Sequence, residues 1–131
     1  MKKTHLLIAI AALCLASSAF AQNDKEPTTE EIIANQIEAF DKLLHLDEIQ
    51  MFYLDSIFQA NFPAMQEELD NVKKSGASLA ESYIVVSDKW NDRTDNAIKK
   101  VLTEAQWKKL MKSPYGKEKT KREKRMKERT N

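Results

Sequence analysis

"DEIQMFYLDSIFQANFPAMQEELDNVKKSG", Asp47 to Gly76, carries Met51, Leu54, Phe58, Phe62, Met65, Leu69 and Val72 at steps of three and four residues. That spacing gathers them on one face of an α-helix, and no alternation of period two competes with it. Gly76 supplies the left-handed backbone on which helices commonly end. A helix over this stretch is roughly 40 Å long at 1.5 Å per residue. Pro63 lies inside it and predicts a kink, because proline removes a backbone donor and crowds the preceding turn.

The flanking sequence supplies partners for that stripe. From about Ser78 to Val101 a second long pattern places Leu79, Tyr83, Val86, Trp90, Thr94, Ala97 and Val101 on one face, so "VKKSGAS" (72–78) reads as the reversal between antiparallel helices. Before them, "TTEEIIANQIEAFDKLLH" (28–45) opens with Thr28 three residues ahead of Glu31, the spacing of a capping box, and sets Ile33, Ile37, Phe40 and Leu44 on one face. After them a short helix starts at Thr103 and is expected to stop before Pro114. The predicted fold class is all-α: a long antiparallel helical hairpin flanked by N-terminal and short C-terminal helices, one domain over residues 22–113.

The long helix also has apolar residues beyond its main stripe, Ile49, Phe52, Tyr53, Ile57, Ala60 and Ala64. Two readings stand: the first and fourth helices or a second subunit cover them, or they form a partly exposed patch that binds apolar segments of other proteins. On the second reading the candidate client-binding residues are Ile49, Phe52, Tyr53, Ile57 and Phe58.

The chain begins "MKKTHLLIAIAALCLASSAFAQ", with Lys2 and Lys3 ahead of an apolar run from Leu6 to Leu15 and Ala19-Phe20-Ala21 at its close. This is the pattern of a signal peptide over residues 1–21, cleaved before Gln22, and it predicts export to the periplasm. The apolar run is too short for a membrane span, which needs roughly 20 residues. Cys14 is the single cysteine, and Leu13 before it does not suit lipid modification. The processed chain therefore has no disulfide, and packing alone must hold it.

Formal net charge over all 131 residues is +1, but the charge is unevenly placed. Residues 22–107 hold eight basic and seventeen acidic residues, whereas Lys108 onward holds eleven Lys or Arg against Glu118, Glu123 and Glu128. "KEKTKREKRMKERTN" (117–131) has almost no apolar content, so residues 114–131 are expected to be a disordered basic tail or a fraying extension of the fourth helix. Behind a signal peptide the partners open to such a tail are an anionic surface such as lipid headgroups, acidic proteins or this chain's own acidic body, and not nucleic acid; the alternative is a solvated, solubilising end.

Two phrases repeat: "LDEIQM", Leu46 to Met51, and "LTEAQW", Leu102 to Trp107. In the second, Thr103 has the chemistry of an N-cap, Gln106 three residues on can reach back to its backbone N–H, and Leu102 and Trp107 fit a hydrophobic staple. Leu46, Asp47, Gln50 and Met51 repeat these parts. An exported, cysteine-poor helical chain with two such leucine–threonine–x–x–glutamine phrases resembles the Spy/CpxP family of periplasmic proteins over roughly residues 43–112. Leu46, Gln50, Leu102, Thr103 and Gln106 match its motif, and Asp47 stands where the first motif has threonine. The resemblance implies thin, curved helical dimers with ATP-independent chaperone activity toward unfolded or envelope proteins, or an envelope-stress role. It leaves as alternatives a regulatory adaptor for one envelope partner and a metal-binding sensor.

Nothing else in the sequence announces chemistry. His45 and Glu48 fall short of the three or four ligands of a zinc site, and His45 reads as a helix junction. Met51 and Met65 lie on the seam and read as gap-filling core residues. Asp88, Asp92 and Asp95 read as a solvated helix face, with Asp95 and Lys99 paired at i,i+4. The serines have no histidine at a recognisable spacing, and Gly76 and Gly116 alone make no phosphate loop. No catalytic residue, metal site or cofactor is expected.

Overall fold

The computed structural model describes residues 25–76 and 79–131; the expected signal peptide lies outside them. Among the described residues there are five helices and no strand: α1 (Thr29–Leu44), α2 (Glu48–Ser75), α3 (Leu79–Val101), α4 (Glu104–Lys112) and α5 (Pro114–Thr130). None is long and apolar enough to cross a membrane.

Each of the first joints follows from local chemistry. The Thr28 hydroxyl accepts the Glu31 N–H at 3.2 Å while the Glu31 carboxylate accepts the Thr28 N–H at 2.9 Å, so α1 starts on a complete capping box. It ends at His45, whose backbone is left-handed at φ 53° and whose N–H donates to the Asp41 carbonyl at 2.8 Å. The Asp41 carboxylate then accepts the Leu46 N–H at 3.0 Å, which fixes the corner into α2. α2 runs on through Pro63 and closes on Gly76 at φ 68°, a conformation that costs glycine little.

Three cross-links set the register of the antiparallel hairpin. Gln50 donates to the Val101 carbonyl at 3.2 Å, Asn61 to the Thr94 hydroxyl at 3.0 Å, and Trp90 Nε1 to Glu68 at 2.6 Å. Lys89 and the Trp90 N–H hold the Glu68 carboxyl below its ordinary value. Between these ties lies the core: Ile33, Phe40 and Leu44 of α1, Leu54, Phe58, Phe62, Met65 and Leu69 of α2, Val86 and Ile98 of α3, and Leu110 of α4. Phe40, Phe58 and Phe62 form a stacked row, with centroids 6.0 and 5.1 Å apart.

The C-terminal segment differs from the tail expected of it. Residues Pro114–Thr130 form a helix docked along α3. Pro114 at the first position is pre-set for helical backbone and has no N–H to leave unpaired. Tyr115 is buried edge-on against Phe40, with centroids 5.4 Å apart. Gly116 passes so close to α4 that a Cβ would lie 1.9 Å from the Met111 carbonyl oxygen, so only glycine permits this corner. Low apolar content argued for disorder, but one aromatic anchor, the buried Arg122 and the ion pairs of Arg125 and Arg129 with Asp88 hold the helix instead.

Candidate functional site

The two repeated phrases meet. Both capping boxes are formed: the Asp47 carboxylate accepts the Gln50 N–H at 2.7 Å and the Thr103 hydroxyl accepts the Gln106 N–H at 3.2 Å. In each, the glutamine Oε1 accepts the cap residue's own N–H, at 3.1 Å for Gln50 and 2.9 Å for Gln106. The two side-chain amides then bond to each other in both directions, Gln50 Nε2 to Gln106 Oε1 at 2.7 Å and Gln106 Nε2 to Gln50 Oε1 at 3.1 Å. Each amide has a second proton, which Gln50 gives to the Val101 carbonyl and Gln106 to the Leu44 carbonyl at 3.3 Å. These carbonyls end α3 and α1, where a helix leaves acceptors unpaired.

Four helix ends are thus tied by two glutamines, with Leu46 and Leu102 buried beneath them. The capping spacing was legible in the sequence; the pairing of the two caps, 56 residues apart, was not.

Beside this clasp the α2 surface is apolar and open. Ile49 and Phe52 are each 67% exposed and Tyr53 is 53% exposed. The Phe52 and Tyr53 rings meet edge to face at 5.8 Å, so the patch is one surface and not scattered side chains. A shallow groove of about 400 Å³ adjoins it, lined by Asp47, Ile49, Gln50, Tyr53, Lys100 and Val101. The clasp therefore forms one wall of the groove, and Lys100 and Asp47 give it opposite charges.

Two of the expected patch residues stand elsewhere. Phe58 has no exposure and belongs to the core, because it sits nine residues, about two and a half turns, from Ile49 and so on the opposite side of the helix. Ile57 is half-buried against the core at the edge of the patch. Ile84 and Val85 are exposed, at 45% and 42%, and were not singled out from the sequence. The signal was present in "IVV" (84–86), since three consecutive apolar residues cannot all face inward from one helix, and here Val86 does.

The aspartates of α3 are not a solvated face. Asp88 and Asp95 are 3% and 2% exposed, covered by α5. Arg125 and Arg129 donate to the two oxygens of Asp88 at 2.8 and 2.6 Å, and Asp88 in turn raises the Arg125 guanidinium above its ordinary value. Asp95 accepts from the Tyr115 hydroxyl and forms an ion pair with Arg122, which is itself 6% exposed and whose Nε has no partner. Burial works against charge on both members of this pair. It pushes the Asp95 carboxyl up to about 8, with Lys119 opposing and Asp92 and Glu123 adding to the rise, and it pulls Arg122 below its ordinary value.

No group of three or more histidine, cysteine or acidic side chains suited to a metal ion occurs among the described residues. His45 serves the corner between α1 and α2. Compared with protein-family models, curated proteins and solved structures, the chain matches none.

Proposed function

We propose that this chain is an exported, cofactor-independent binding protein of the chaperone-like or envelope-stress kind, which holds unfolded or envelope proteins on the face of Ile49, Phe52 and Tyr53. The observation that carries this reading is the exposure of three large apolar side chains on a helix whose other apolar face is fully packed. Leaving such groups in water forgoes roughly 1.5–3 kcal/mol each that burial would return, a gain available to a client's apolar segment. Opposed charges from Asp47 and Lys100 at the groove orient the approach, and weak contact over a small patch suits release without ATP. The repeated motif acts at one remove, holding the groove's wall in place. No catalytic residue is assigned.

Suppression of aggregation of an unfolding client tests the reading. Wild-type chain at equimolar ratio is expected to suppress it, and Phe52→Ser/Tyr53→Ser to lose most of the effect while keeping its helicity. Absence of suppression by folded wild type rejects the chaperone reading. The defined groove favours, as a second reading, an adaptor for one envelope partner. Affinity recovery from the envelope separates the two, an adaptor returning one stoichiometric partner and a chaperone many weak ones. A second copy of the chain is the competing occupant of the patch, and sedimentation across a concentration series detects it as a dimer that Phe52→Ser/Tyr53→Ser dissociates.

A further inference from the structure

The basic residues of α5 are sorted by type. Its three arginines, Arg122, Arg125 and Arg129, turn toward Asp88 and Asp95 of α3. Lys117, Lys121 and Lys124 recur at i, i+4 and i+7 on a solvent-facing side, with Lys127 on the next turn, and all four are exposed. Lys121 reaches Glu118 at 3.0 Å, while Lys117, Lys124 and Lys127 pair with no carboxylate among the described residues. Glu118 and Glu128 are the acids interspersed with this row.

Like charges one turn apart repel and weaken a helix, so a lysine row in which one member of four has a carboxylate partner, on a helix fixed by buried anchors, is a cost that packing does not explain. Arginine is the side chain that reads a single phosphate or carboxylate through a two-pronged hydrogen bond, and α5 spends its arginines inward. Lysine is a hydrated point charge, which suits a laterally averaged field of anionic groups more than one defined ligand. The apolar side of α5, with Tyr115 and half-buried Met126, faces the protein, so this helix has nothing to insert among acyl chains.

We propose that the Lys117, Lys121, Lys124 and Lys127 face of α5 seats the protein on an anionic phospholipid surface, peripherally and by charge alone. This surface is distinct from the Ile49–Phe52–Tyr53 patch and does not depend on it. Near an anionic membrane each lysine contributes about a fivefold gain in partitioning.

Flotation of the full chain with vesicles of neutral lipid, and of neutral lipid with about a third phosphatidylglycerol, tests this. Because the leader is common to every variant, the quantity read is the increment that the anionic lipid adds. The expected result is a clear increment that disappears in 0.5 M salt and falls on the order of a hundredfold in Lys117→Gln/Lys121→Gln/Lys124→Gln. Lys42→Gln/Lys73→Gln/Lys74→Gln makes the same change in net charge elsewhere on the surface and is expected to keep the increment. The proposal is overturned if no increment appears, if the control variant loses as much, or if the chain binds soluble heparin but not the vesicles. Circular dichroism of both variants verifies that α5 remains helical.

Discussion

The outer face of α2 and the α5-facing side of α3 invert what hydropathy leads one to expect. On α2, Ile49, Phe52 and Tyr53 stand in water; on α3, Asp88 and Asp95 are all but sealed from it. The difference lies in what covers each face. α5 lies along α3 and brings arginines whose spacing matches the aspartates, whereas nothing among the described residues lies over the α2 patch. A buried charge is tolerated only where an opposite charge is delivered to it, and an exposed apolar cluster on an otherwise packed bundle marks a surface left for another molecule.

The sharpest way to break this comparison is to truncate a phenylalanine on each side of α2. Phe58→Ala removes a fully buried ring between Phe40 and Phe62 and is expected to cost about 3–5 kcal/mol in urea unfolding. Phe52→Ala is expected to change stability by no more than about 0.5 kcal/mol. Equal costs would mean that the patch is packed and not free.

On the α3 side the two halves of the buried pair should be unequal. Asp95→Ala takes away the oxygens that face the Tyr115 hydroxyl and the buried Arg122 guanidinium, which keeps its charge, at an expected cost of about 1–3 kcal/mol. Arg122→Met leaves a carboxyl that burial already drives toward its neutral form, and is expected to cost clearly less. The reverse order in thermal or urea unfolding would contradict the picture.

How far these two faces could be read from sequence differs for a physical reason. Helix periodicity is a local property, so the stripes of α1, α2 and α3 and both capping boxes are visible in residues a few positions apart. Ile98 was missed on α3 because the stripe through Ala97 and Val101 already satisfied the period, yet Ile98 is the fully buried one. The docking of α5 is a long-range fact, and composition alone argued against it. A trace was present nonetheless: Asp88 and Asp95 are seven residues apart, as are Arg122 and Arg129. Two turns of α3 thus match two turns of α5 run in the opposite direction. The same limit hid the clasp, since each glutamine looks complete as the far end of its own capping box.

The clasp gives an effect of middle size. Gln50→Ala and Gln106→Ala each remove the reciprocal half of a capping box and strand the partner amide, at an expected cost of about 1–2 kcal/mol. The double variant is expected to cost less than the sum, because both lose the same pair of amide bonds. Additive costs would mean the two caps act independently.

A smaller effect follows from pH. The Asp95 carboxyl, raised to about 8 in the folded chain, lies near 3.9 when unfolded. The folded state therefore holds a proton that the unfolded state has lost, so this group's contribution is full below about pH 4 and is lost as pH rises through 8. Urea midpoints measured from pH 4 to 8 should fall more steeply for wild type than for Asp95→Asn, whose side chain is neutral throughout. Parallel profiles would show that Asp95 is ionised across this range.

The placement of the binding surface is tested most directly by photo-crosslinking to an unfolding client. One crosslinker is placed at position 52 on the patch, and the other at position 34, exposed on α1. The expected result is strong capture from position 52 and little from position 34, with capture abolished by Ile49→Ser/Tyr53→Ser. Equal capture from both positions, or none from position 52 by a chain that still binds the client, would contradict the assignment of this face.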